Sequence, residues 1–170
     1  RRRQRQMCIR DRILVLNAGV ATAQTLVDAD IEEDQTWIAA HSPYVIQADI
    51  LVGNYADLTI GPGVTVAFDG DYHLEIGWQS RIFATGTPGQ PVVFTSNAPS
   101  PAMRDWDQIK VVGPEPSSFD HCVFEYADIA VWLSYIDTPI TNSVFRECRM
   151  AIHLEASSPD ILGCTISQCQ

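Results

Sequence analysis

From residue 118 onward the apolar and polar positions of the chain recur at a fixed interval of 21 residues. Phe119, Ile140 and Ile161 are in register, as are Phe124, Phe145 and Ile166; Val131 matches Ile152 and Leu133 matches Leu154. Cys122, Ser143 and Cys164 form a further column, and Ala127, Cys148 and Cys169 another. Within each repeat the side chains alternate: Cys122 and Phe124 face inward while Val123 and Glu125 face out, and the same alternation returns around Phe145 and Ile166. Period-2 alternation marks a half-buried strand, and a repeat of this length marks a solenoid in which each turn buries its apolar face only against its neighbours. Ahead of each of these strands stand His121, Asn142 and Gly163, residue types that tolerate positive φ, which predicts a tight left-handed bend there.

The middle of the chain shows a shorter interval. Leu58 and Leu74, Ile60 and Ile76, Val66 and Ile82, and Phe68 and Ala84 are each 16 residues apart, and Val93 to Ile109 continues the spacing. Coils of 16 residues are expected here. Gly61-Pro62-Gly63, Asp69-Gly70-Asp71, Gly86-Thr87-Pro88-Gly89 and Pro99-Ser100-Pro101 supply turns between them, and the segment from Gly113 to Pro116 marks a change from short to long coils. The fold class is therefore all-β, a right-handed parallel β-helix of about seven coils, a shaft on the order of 30 Å long, expected to be truncated at its C-terminal end. Phe119, Phe124, Phe145, Ile152, Ile161 and Ile166 are expected to be buried in stacked columns.

The residues ahead of the solenoid divide into three. Residues 1–12 (RRRQRQMCIRDR) are basic, lack an apolar period and resemble the in-frame translation of a sequencing adaptor. Residues 13–23 read as the remnant of a secretory signal peptide, an apolar run closing on Ala21-Thr22-Ala23 and too short for a membrane span of about 20 residues. Residues 24–34 read as an acidic leader outside the core, leaving residues 35–170 as the β-helix.

Charge narrows the partners. The 170 residues carry 11 basic and 21 acidic groups, and without residues 1–12 the balance is five against 20, a net charge of −15. Nucleic acid and anionic membranes are excluded as partners, because both demand concentrated positive charge. Polysaccharide or cell-surface components fit better. Of the five cysteines, Cys122, Cys148, Cys164 and Cys169 lie in the solenoid, and no C-x-x-C pair is present to suggest zinc or a redox motif. Cys148 and Cys169, one rung apart in one inward column, are expected to stack as reduced thiols.

Residues 58–68 (LTIGPGVTVAF), residues 91–96 (PVVFTS), the Asp105-Trp106 segment and the three 21-residue rungs together resemble the secreted bacterial right-handed β-helix repeat proteins, within the broad pectate-lyase-like superfold. The chain departs from that pattern at Gly61, where the family usually carries an acidic residue, and at Asp107 and Gln108, where it carries glycines. The resemblance implies a secreted or cell-surface location. The superfold hosts lyases, hydrolases, adhesins and structural shafts, so the fold alone assigns no activity.

No catalytic residue stands out. Glu125 with Arg146, and Asp128 with Arg149, sit one rung apart on the outward face, where opposite charges form cross-strand pairs worth roughly 0.2–1 kcal/mol; a lyase would instead use such an arginine as its base. Trp132 and His153 share another outward column and could offer a sugar ring an apolar platform. Asp69-Gly70-Asp71 and the acidic residues 28–34 are the segments that could meet Ca²⁺, but neither has the ligand count of a calcium loop, and no cofactor is expected. His41, His73 and His121 have no second ligand at a meaningful spacing. Two functions follow: a non-catalytic β-helix module in structural, adhesive or glycan-binding use, or a fragment of a polysaccharide lyase or glycoside hydrolase whose active site is largely missing.

Overall fold

A computed structural model describes residues 24–170; the adaptor-like segment 1–12 and the signal-peptide remnant 13–23 lie outside the described residues. The chain winds as a parallel β-solenoid of about six turns with almost no helix, and visits three sheets in strict rotation. Sheet A stacks Thr25–Val27, Tyr44–Ile46, Thr65–Phe68, Val92–Ser96, Cys122–Glu125, Val144–Arg146 and Thr165–Ser167. Sheet B stacks Ile50–Val52, Leu74–Ile76, Trp106–Val112, Ala127–Ser134 and Met150–Glu155, and sheet C stacks Gln35–Trp37, Asp57–Ile60, Arg81–Thr85, Ser118–Asp120, Ile140–Thr141 and Ile161–Leu162. Every strand pairing is parallel, which the short strands permit because each return to a sheet is a full turn of the helix.

From Phe119 onward the 21-residue interval is the register of the strands. Phe119 pairs with Ile140 and Ile140 with Ile161; Phe124 pairs with Phe145 and Phe145 with Ile166; Val131 pairs with Ile152. His121, Asn142 and Gly163 take φ of 50°, 49° and 66° at the corner between sheets C and A, the left-handed bend their residue types predict.

The 16-residue interval is not a coil length. Leu58, on sheet C, pairs with Ile82, 24 residues on as in the Asp57–Arg81 pair, while Leu74 lies on sheet B between Ile50 and Ile109. Four of the five pairs compare inward positions on different sheets, because all three sheets present the same alternation to one core, and the fifth sets the outward Val93 against the inward Ile109. True coils in this region span from 22 residues, as between Gln47 and Asp69, to 35, as between Glu75 and Lys110. Gly113 to Pro116 is thus a corner between sheets B and C rather than a switch from short to long coils.

Two further expectations are corrected. Residues 24–34 are no detached leader: Thr25–Val27 pairs with Tyr44–Ile46, and Ile31, 2% exposed, bridges to Val52, so this segment forms the first coil. The carboxylates of Asp30 and Asp34 accept from the amides of Leu51 and Asp57, both at 2.9 Å, tying that coil to the next. Toward the last described rung Phe119, Phe124 and Phe145 are fully buried, but Ile152 is only partly buried and Ile161 and Ile166 are exposed, lying on a rung that packs against a neighbour on one side among the described residues.

The core is a stack of rings and aliphatic columns. Phe94, Phe124 and Phe145 lie parallel at centroid distances of 5.0 and 4.7 Å, and Phe119 meets Phe94 and Phe124 edge-on. Trp37 stacks on Tyr44 at 4.5 Å, joining sheets C and A at the first coils. In-register stacking puts Phe124 between the rings of Phe94 and Phe145, while aliphatic side chains such as Val66 and Ile166 continue the column at its two ends.

Candidate functional site

Four outward clusters are built by the register. On sheet A, Glu125 pairs with Arg146, whose guanidinium binds its carboxylate, while the Thr95 hydroxyl donates to Glu125 Oε2 at 3.1 Å. Glu125 is nevertheless only 8% exposed: its carboxylate is outward in register but covered by these two partners. At the corner beside it, Arg149 grips Asp128 with two bonds, Nε to Oδ1 at 2.6 Å and a terminal nitrogen to Oδ2 at 2.8 Å, and Arg104 adds a contact at 3.1 Å. The bidentate fork holds the Asp128 carboxyl below the usual carboxylate range and the Arg149 guanidinium more firmly protonated than usual.

On sheet B the column Leu51, Glu75, Lys110, Trp132 and His153 runs along the outward face. The Lys110 ammonium sits 5.2 Å from the centre of the Trp132 ring and 3.4 Å from Glu75 Oε2, and the His153 ring meets Trp132 edge-on at 4.8 Å. Trp132 therefore has a cation over its ring and a histidine at its edge; its indole N–H is buried without a partner.

The third cluster was invisible in the sequence. His73 Nδ1 lies 3.1 Å from Asp49 Oδ1 and 3.8 Å from Asp107 Oδ2, so a histidine with no neighbour in its own segment acquires two carboxylates from the coils on either side. Burial pushes the Asp107 carboxyl above its ordinary value against the pull of His73, and the charges of Asp71, Asp128 and Asp49 push the same way. Asp49 and His73 end the loops before Ile50–Val52 and Leu74–Ile76, Asp107 lies at the start of Trp106–Val112 after a longer loop, and no constant spacing marks them.

The fourth lies at the corner between sheets C and A. Asp120 accepts from Thr141 Oγ1 at 2.6 Å, Asn142 Nδ2 at 2.9 Å and His121 Nδ1 at 2.9 Å; with these hydrogen bonds, led by Thr141, its carboxyl falls to about 2. Asp69, in the Asp-Gly-Asp turn, accepts from Gln47 and Asn97 on the flanking coils at 3.0 and 2.8 Å, which lowers its carboxyl too. Both oxygens are engaged in a rung-to-rung ladder. Among the described residues no group of three or more His, Cys, Asp or Glu is placed to hold a metal ion. Cys148 and Cys169 are free thiols, as are Cys122 and Cys164.

Each cation among the described residues is held on a carboxylate: Arg81 on Asp57, Arg104 and Arg149 on Asp128, Lys110 on Glu75, and Arg146 on Glu125. The outward surface is thus a set of charge ladders in a field of surplus carboxylates. A family model described as a pectate-lyase like beta helix domain matches residues 29–129, more than half of the chain. No curated protein and no solved structure matches.

Proposed function

Because the chain belongs to the pectate-lyase-like β-helix domain family, we propose that it is an extracellular or cell-surface β-helix module in adhesive or glycan-binding use, without catalytic activity. The observation that carries this reading is the engagement of every described cation. A lyase needs a base that can shed its proton at the working pH; the guanidinium groups of Arg81 and Arg149 are instead held more firmly protonated by Asp57 and Asp128. The same pairs, repeated from rung to rung, serve the stack. No helix among the described residues is long and apolar enough to cross a membrane.

One observation favours the alternative of a lyase or hydrolase fragment. Asp107, raised by burial and crowded by other acids, is the group best placed to stay protonated and act as a general acid. Incubation with neutral and acidic polysaccharides, with and without Ca²⁺, separates the two. The module reading expects neither new reducing ends nor unsaturated products; turnover that disappears in Asp107→Asn would establish the enzyme instead.

A further inference from the structure

Three aromatic side chains are strongly exposed among the described residues, and all three lie at the corner where sheet B passes into sheet C: Tyr55 at 67%, Trp78 at 60% and Tyr135 at 61%. Their placement follows from register. Ile76 pairs with Val111 and Val112 with Ser134; two residues beyond Ile76, and one beyond Ser134, Trp78, Gly113 and Tyr135 fall in one column on successive rungs. Tyr55 sits one rung before Trp78, displaced by one residue, because Val52 pairs with Ile76.

Gly113 is what keeps this column open. Its φ is +109°, and a Cβ there would stand 3.3 Å from Cδ2 and Cε3 of Trp78. The indole therefore lies across the position where the next rung has no side chain. Trp78 and Tyr135 belong to rungs about 9.6 Å apart along the axis, and the indole spreads over the bare Gly113 rung between them. Beside Tyr135 a shallow groove of about 350 Å³ is lined by Pro114, Pro116, Ile136, Asp137 and Ala156.

We infer that this corner is a stacking platform for an uncharged, extended polysaccharide lying along the solenoid axis, a proposal that rests on the glycan-binding reading and names its site and ligand class. Pyranose rings present apolar faces that stack on exposed aromatics, and an extended chain lying along the axis offers such faces in succession to a row of rings on neighbouring rungs. The charge of the ligand follows from the surface. The charges near the column are the carboxylates of Glu115 and Asp137 and the Arg81–Asp57 pair, in which the guanidinium is already held by a carboxylate; the described cations are all paired, and residues 13–170 carry a surplus of 15 acidic groups. A polyuronate would be repelled, and no described carboxylate group is placed to recruit a bridging cation. Trp132 is a poorer platform, with Lys110 over its ring.

Affinity electrophoresis of the full chain through gels containing xylan, mixed-linkage glucan, galactomannan or polygalacturonate, with and without Ca²⁺, tests the proposal. Retardation by at least one neutral glycan is expected, insensitive to added salt, weakened about tenfold or more in Trp78→Ala and in Tyr135→Ala and largely kept in Trp78→Phe and Tyr135→Phe. Circular dichroism checks that each variant folds; if Trp78→Ala does not, Tyr135→Ala with its phenylalanine control carries the comparison. Neutral-glycan binding that survives the alanine variants but is lost in Trp132→Ala would overturn the site, and preferential binding of polygalacturonate would overturn the ligand class; both leave the glycan-binding reading standing. Retardation by no glycan, or self-association through this corner instead, would overturn that reading as well.

Discussion

Trp106 and Phe68 lie face to face, ring centroids 4.2 Å apart and planes within 3°. Trp106 comes from sheet B and Phe68 from sheet A, so the pair is stacked across the core rather than along one column. The indole N–H donates to the carbonyl oxygen of Glu125 at 2.7 Å, and the residue is completely buried. One side chain thus fastens the long coil that begins after Ser96 to the 21-residue rungs that follow. Trp106→Phe, which keeps a stacked ring but removes the hydrogen bond and part of the buried area, is expected to cost about 2 kcal/mol. Trp106→Ala is expected to cost about 3–5 kcal/mol, read as a shift of the denaturant midpoint at constant slope.

The Asp120 corner gives a pH dependence with a definite sign. Its carboxyl is depressed to about 2 in the folded chain from an ordinary 3.8, so folding favours the ionised form. Its contribution is fully present above about pH 4 and is lost as pH falls through 2. The side chain is 34% exposed, so solvent screening trims the contribution to on the order of 1 kcal/mol. Asp120→Asn should therefore be less stable than the parent at neutral pH and should converge with it near pH 2. A gap that stays constant with pH would show that the hydrogen bonds, not the charge, carry the effect.

Gly86 and Gly89 are three residues apart and predict opposite results. A Cβ on Gly86 would lie 2.4 Å from the carbonyl oxygen of His121 and 2.8 Å from the Pro91 Cα, both backbone atoms that cannot swing away. Gly89 has nothing within 4 Å of the same position. Gly86→Ala is expected to destabilise by about 3 kcal/mol, and Gly89→Ala to stay within about 0.5 kcal/mol of the parent. Thermal melts of the two single variants compare them directly.

The thiols should separate by reactivity. Burial pushes the Cys148 thiol up to about 12 and raises the buried Cys122 thiol as well, while Cys164 and Cys169 are partly exposed. Since the thiolate is the nucleophile, iodoacetamide at neutral pH is expected to label Cys164 and Cys169 in the folded protein long before Cys122 and Cys148. After denaturation without reductant all four should label. Peptide mapping that finds Cys148 and Cys169 joined would contradict the reduced stack.

How much of this could be read from the chain depended on loop length. Where successive coils are equally long, as from Phe119 to Ile161, the register, the inward columns, the Glu125–Arg146 and Asp128–Arg149 pairs and the Trp132–His153 contact all follow from one interval. Before that region the coils differ in length, and alignment by apolar pattern alone matched Leu58 on sheet C with Leu74 on sheet B. The same irregularity hid the His73 cluster and the Trp78–Gly113–Tyr135 column, whose members are neighbours only after loops of unequal length have been closed. Exposure at the last rung, at Ile161 and Ile166, was misjudged for a different reason: a periodic pattern marks which face is apolar, but not whether another coil lies on top of it.

The spread of coil lengths has a meaning for how such a molecule can change. Closing a turn of 35 residues rather than 21, the intervals from Glu75 to Lys110 and from Phe119 to Ile140, costs only about 0.5 kcal/mol more in chain entropy. Each rung answers only to the two beside it. Residues can thus be added or exchanged at the turns between Ser96 and Trp106, or at the corner after Gly113, without propagating a shift through Phe94, Phe124 and Phe145. The stacked rings act as a ruler whose marks stay fixed while the margins are rewritten, which makes those two turns the natural places to graft a new recognition loop.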